Sequence, residues 1–280
     1  MTQYFVYDVF TDQAFGGNPL AVIPDATALP EADLPRIARE FNFSETTFIY
    51  PPEDRAHTAR VRIFTPTMEI PFAGHPLIGT TLALYDIGEP AEMVLELGVG
   101  PLRCWVEGAR ASFTTAKALE RVADIETALV ARALGLSEED ITTTTHAPVL
   151  ATLGLPFVIS ELTSRAALAR IQTHSDAFRE GAARYPAGLD FSQFAYVRNG
   201  QTVDARMFAP LDNIPEDPAT GSACATLAAL LAEIEGKDLT LRIHQGDDMG
   251  RPSVIEAMTK GKAVTLSGTA KRIMQGTLVY

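Results

Sequence analysis

Two stretches of the chain, residues 76 to 85 and 223 to 235, are apolar almost all round, the pattern of a helix buried at the centre of a domain. Gly236 closes the second. Elsewhere the pattern has two other periods. QYFVYDVF, TARVRIFT, MVLEL, LTLRIHQ and KAVTLSG are β-branched or aromatic runs closed by turn residues, and residues 46 to 50 read the same way; these predict strands. LPEADLPRIAREFN places Leu34, Ile37, Ala38 and Phe41 on one face, and DIETALVARAL does likewise with Ile125, Leu129 and Leu134, predicting surface helices.

The pattern repeats. GNPLAVI (17 to 23) resembles GLPFVIS (154 to 160), VRIFTP (61 to 66) resembles ARMFAP (205 to 210), and AGHPLIGTTLAL (73 to 84) resembles TGSACATLAAL (220 to 230). The three anchors keep one order, and the slow drift in their spacing is what loop insertions produce. An internal duplication predicts an α+β chain of two pseudo-symmetric domains, each a mostly antiparallel sheet wrapped around one central helix. The expected boundaries are 1–115 for the N-terminal half, 116–268 for the C-terminal half, and 269–280 for a strand that returns to complete the first.

With 280 residues, 46% of them hydrophobic and 21% charged, the composition is that of a folded globular protein. A net charge of −12 opposes the basic surface that nucleic acid or anionic lipid requires. No apolar run approaches the ~20 residues that span a bilayer, and the amino terminus carries no secretory pattern, so a cytoplasmic location is expected. Cys104 and Cys224 form no metal or disulfide spacing. The five histidines make no metal-binding pair, and the G-x-G at Gly98 fails the dinucleotide fingerprint.

In both halves a glycine followed by a small or polar residue opens the apolar helix: Gly74-His75 in EIPFAGHP and Gly221-Ser222 in EDPATGSA. A helix start has backbone N–H groups without partners and a partial positive charge, so it suits a small anion. Taken singly, each junction reads equally as an ordinary cap. As a pair related by a pseudo-twofold, they would grip a carboxylate from two sides of one cleft. Glu45, in FSETTF, reads either as an exposed loop acid or as a carboxyl whose neighbours Phe41, Phe43, Phe48 and Ile49 raise its pKa towards a useful range. Asp217 reads either as a turn residue beside Pro218 or as a hydrogen-bond acceptor for a ligand.

GNPLAV, IAREFNFSETTF, RIFTPTMEIPFAGHPLIGT, EDPATGSA and HQGDDMGRPS together resemble the PhzF family of phenazine-biosynthesis isomerase relatives, which share the diaminopimelate epimerase-like fold. The resemblance runs from residue 2 to about 253. It implies an isomerase without metal or organic cofactor, acting on a small carboxylic acid such as a dihydro-hydroxyanthranilate, and often a homodimer. It implies Glu45 as general acid/base, His75 and Asp217 as groups that orient substrate, and Gly74, Gly221 and Ser222 as substrate-binding residues.

Epimerases of this fold carry a thiol before each helix-opening glycine. Here those positions are Ala73 and Thr220, which excludes two-thiol racemisation. Cys224 lies further along, as a small buried hydrophobe or a thiol activated by the helix start. The competing readings are an epimerase or racemase using Glu45 and Asp217 as its base pair, and a non-catalytic protein that binds small anions. Ser222 lacks the nucleophile elbow of a serine hydrolase.

Overall fold

The continuous run from Phe5 to Val9, buried on both faces, makes Gln3–Val9 (β1) the centre of a sheet, antiparallel to Asn18–Ile23 (β2). The computed structural model describes every residue except Leu189. It divides into two compact units, Met1–Thr115 with Thr265–Tyr280, and Ala116–Val264.

In the first unit, Leu34–Phe41 (α1) leads from β2 to Glu45–Tyr50 (β3), which lies parallel to β2 with Glu45 opposite Leu20. Pro35 suits the first turn of α1, and Asn42 ends it in the left-handed conformation. Leu34, Ile37 and Ala38 bury the predicted face in a cluster with Ile23, Phe48 and Phe64. Ala59–Phe64 (β4) runs antiparallel to β3 and to the short Glu69–Ile70 (β5). Gly74–Asp86 (α2) follows, buried at every residue from Gly74 to Leu84. Glu92–Leu97 (β6), Gly100–Glu107 (β7) and Arg110–Thr115 (β8) form a meander, with β6 parallel to β4.

The second unit repeats the order. Glu120–Asp124 (β9) pairs with Val149–Thr152 (β10), which is antiparallel to Pro156–Glu161 (β11). Thr127–Leu134 (α3), Arg165–Ala169 (α4) and Ser175–Arg184 (α5) are its peripheral helices. Gln193–Asn199 (β12) is parallel to β11 and antiparallel to Thr202–Ala209 (β13). Ile214–Asp217 (β14) pairs antiparallel with β13, and Gly221–Glu235 (α6) is the central helix. Thr240–Gln245 (β15) lies parallel to β13 and antiparallel to Ser253–Lys260 (β16). The last strand, Ala263–Thr277 (β17), pairs through Ala270–Thr277 with β1. The fold is α+β, with a mostly antiparallel sheet about a central helix in each unit.

The three sequence anchors fall on corresponding elements: β2 and β11, β4 and β13, α2 and α6. The duplication also extends to a side-chain device. Arg62 on β4 grips Glu69 on β5 with two bonds, at 2.7 and 2.6 Å, and lies over the Phe64 ring. Arg206 on β13 grips Glu216 on β14 with bonds of 2.7 and 2.8 Å and lies over the Phe208 ring. Each fork is the planar, two-point recognition that arginine performs and lysine does not. In each unit it ties down the short strand that leads into the central helix.

Two sequence expectations change. Helix α3 buries more than the predicted stripe: Val130, Ala131 and Ala133 join Leu129 and Leu134 in the second unit's core, while Arg132 stays exposed. The central helices begin at Gly74 and Gly221, two residues before the apolar runs, because glycine occupies the first turn instead of the cap position.

Candidate functional site

Each unit presents a candidate cluster at the start of its central helix. In the first, Ala73 is the N-cap of α2, with extended backbone and no side-chain oxygen to cap the helix. An alanine cannot supply the oxygen that Ser, Thr or Asp would turn on to the first-turn N–H groups. Gly74 and His75 therefore open α2 without a side-chain cap, at its electropositive end.

Glu45 is the first residue of β3, not a loop acid, and its side chain is 15% exposed. Its Oε2 lies 3.1 Å from Nδ1 of His75, itself 4% exposed. Strand alternation explains the meeting. Glu45 and Thr47 share the face towards α2, where the Thr80 hydroxyl donates to Thr47 Oγ1 at 3.0 Å. Phe48 points the opposite way, into the cluster beneath α1, and meets Phe64 edge-on. Phe41 meets Tyr4. Of the residues expected around Glu45, Phe48 thus faces away, and the imidazole of His75 stands beside the carboxyl.

Although the Glu45–His75 distance is that of an ion pair, complete burial dominates and lowers the His75 pKa to about 3, against a smaller opposing effect of the Pro19 backbone. The ring is neutral, because desolvating an imidazolium costs more than one carboxylate returns. Its Nε2 is buried and makes no hydrogen bond. The hydrogen bond to the Pro19 carbonyl therefore falls to Nδ1–H, with Glu45 Oε2 close by but not hydrogen-bonded to it, and Nε2 is left as a lone-pair acceptor.

In the second unit, Thr220 is the N-cap of α6, a residue type well able to cap. Its hydroxyl instead turns back and donates to Asp217 Oδ2 at 2.5 Å. The first turn, from Gly221 and Ser222, is again without a side-chain cap. Asp217 is 6% exposed. Gln245 Nε2 donates to the Asp217 carbonyl at 2.7 Å and to Thr220 Oγ1 at 2.9 Å, while Gln245 Oε1 accepts from the Thr220 N–H at 3.1 Å. Cys224 is buried, and burial pushes its thiol pKa well up, with Asp217 adding to the rise. Desolvation outweighs the helix start, so Cys224 is a packed small side chain and not an activated thiol.

Glu45, His75 and Gly74 therefore lie together in the first unit, and Asp217, Gly221 and Ser222 in the second. Thr220 and Gln245 were not among the residues expected from sequence. A hydrogen bond between a turn and a strand end 25 positions later leaves no periodic trace, and only the HQGDDMGRPS segment signalled it. Among the described residues no three His, Cys, Asp or Glu side chains gather as a metal site. Among the described residues no helix is long and apolar enough to cross a membrane.

Two related α+β units, each centred on a buried helix opened by an uncapped glycine, are the architecture of the diaminopimelate epimerase-like fold. Residues 7–276 match the family described as phenazine biosynthesis-like protein, PhzC-PhzF, and the chain belongs to that family. It is similar to an uncharacterized isomerase of Mesorhizobium japonicum, 37% identical over 98% of this chain and 98% of that protein. It is also similar to a trans-2,3-dihydro-3-hydroxyanthranilate isomerase of Pseudomonas fluorescens, 34% identical over 100% of both chains. In fold it resembles the crystal structure of the Bacillus anthracis phenazine biosynthesis protein of the PhzF family, with a TM-score of 0.87 over 100% of this chain and 99% of that one at 23% identity.

Proposed function

We propose that this isomerase moves a proton between carbons of a small carboxylic acid, with Glu45 as the general acid/base. The observation that carries the reading is a carboxyl 3.1 Å from a buried, neutral imidazole at the uncapped start of a buried helix. Glu45 takes the proton from one carbon and returns it to another. The first-turn amides of Gly74, His75, Gly221 and Ser222 bind the substrate carboxylate and disperse the negative charge that grows as the C–H bond breaks.

His75 narrows the substrate class. A neutral ring whose Nε2 only accepts suits a substrate hydroxyl or amino group, and Asp217 provides a second acceptor. A carboxylate bearing such donors is the chemistry named by trans-2,3-dihydro-3-hydroxyanthranilate, the compound in the relatives' names. We take that compound as the first substrate to try. Cys224, held neutral by burial, and the alanine and threonine at positions 73 and 220 favour a single carboxylic base over a pair of thiols.

The test is turnover of this compound in deuterated water, with NMR of the product. Hydrogen arriving at the new carbon from solvent, or by transfer within the substrate, together with a kcat some 10²- to 10⁴-fold lower in Glu45→Gln, is the expected result. Full activity in Glu45→Gln would refute it.

A further inference from the structure

The turn before α6 in the second unit is braced more heavily than a turn requires. Gln245 is 1% exposed, and its carboxamide is fully engaged with Asp217 and Thr220. These bonds fix the direction of a proton. A carboxamide nitrogen only donates, so Thr220 Oγ1 accepts the Gln245 proton and must send its own elsewhere. Asp217 Oδ2, at 2.5 Å, receives it. The rest of HQGDDMGRPS supports the same place. Ser253 Oγ lies within donating distance of the Pro218 and Gln245 carbonyl oxygens, at 2.7 and 2.9 Å. Gly246 has φ +81°, and a Cβ there would stand 2.3 Å from the Arg251 carbonyl oxygen and 2.8 Å from that of Pro218.

The duplicated first unit acts as an internal control. EIPFAGHP and EDPATGSA share Glu-x-Pro-x-x-Gly, and Gly98 stands against Pro71, its added Cβ 2.7 Å from Pro71 Cα, as Gly246 stands against Pro218. Yet Ile70, Ala73 and Leu97 occupy the places of Asp217, Thr220 and Gln245. An apolar set holds the same turn. The polar brace therefore accompanies the carboxylate and not the backbone shape.

We propose that Gln245 is a positioning residue: by filling the Thr220 lone pair it commits the Thr220 hydroxyl to Asp217, holding that carboxylate ionised and aimed as an acceptor for substrate. This rests on Asp217 orienting substrate, as proposed above. Gln245→Glu keeps the shape but, ionised, presents an acceptor where a donor is needed, so the Thr220 proton turns away from Asp217. Thr220→Val removes the hydroxyl, and Thr220→Ser keeps it.

With trans-2,3-dihydro-3-hydroxyanthranilate as probe, kcat is expected to fall about 10- to 100-fold in Gln245→Glu and Thr220→Val, the range a small misalignment produces, and to stay near wild type in Thr220→Ser. A second readout needs no turnover. The carboxyl-carbon NMR signal of Asp217, assigned by its loss in Asp217→Asn, should titrate at higher pH in Gln245→Glu and Thr220→Val than in wild type and Thr220→Ser. An unchanged titration in Gln245→Glu and Thr220→Val overturns the proposal. If Asp217→Asn keeps full activity, the reading of Asp217 fails instead. If Asp217→Asn is inactive while Gln245→Glu is fully active, the brace alone fails.

Discussion

Burial of His75 has a consequence for acid stability that can be worked through. The ring's pKa drops from its ordinary 6.5 to about 3 in the fold, so charging it there costs on the order of 5 kcal/mol more than in the unfolded chain. As pH falls through 6.5 the unfolded chain binds a proton that the folded chain refuses until about pH 3. The unfolded state then holds more protons, and stability rises with pH across that window, which means it is lost on acidification. Between pH 7.5 and 4.5 the loss from this one side chain is roughly 3 kcal/mol. His75→Asn retains a neutral polar group near the Nδ1 position and has no proton to gain. The assay is urea unfolding of both proteins at pH 7.5, 6.0 and 4.5. The wild-type midpoint should fall by about 1 M more than the variant's over this range, taking an m-value of about 3 kcal/mol/M. Carboxylate titrations common to both proteins cancel in the comparison. An equal acid slope in the two, or a His75 ring signal that titrates near pH 6.5, would refute the reasoning.

Other outcomes can be checked independently. Burial pushes the Cys104 thiol pKa up to about 12 and raises that of Cys224 as well, so iodoacetamide at pH 8 should leave both unmodified and activity intact, as mass spectrometry will show; labelling of Cys224 with loss of activity would revive a thiol mechanism. Gly79→Ala places a methyl 2.6 Å from Leu20 Cδ2 and 2.7 Å from Val9 Cγ2. Overpacking of about 1–3 kcal/mol then exceeds the helix-propensity gain of about 1, and Tm should fall by a few degrees; a rise would show that the β1–β2 surface yields.

The buried helices and the duplication were legible because they rest on periodicity, which one sequence displays directly. The glycine starts, His75, Asp217 and Glu45 were legible as motifs. What the motifs lacked was direction. Nothing in FSETTF says that Glu45 shares a face with Thr47 and leaves Phe48 on the other; that follows from Glu45 being inside β3 instead of before it. The extent of α3's burial was likewise hidden, since its apolar residues suit a narrow stripe as well as a wider face until α5 packs against it. The Arg62–Glu69 and Arg206–Glu216 forks and the Gln245 brace link separate segments through side chains. Only a fold in which β4 meets β5, β13 meets β14, and β15 parallels β13 brings those partners together.

Strand β17 sets a schedule for biosynthesis. The partner of β1's second edge is Ala270–Thr277, so a nascent chain that has emerged from the ribosome only as far as Thr115 carries an open, apolar strand edge for the whole time the second unit is made. Such an edge invites pairing with other chains. Emergence of Ala270–Thr277, not completion of the first 115 residues, is when the first unit can close, and until then its edge stays open to mispairing.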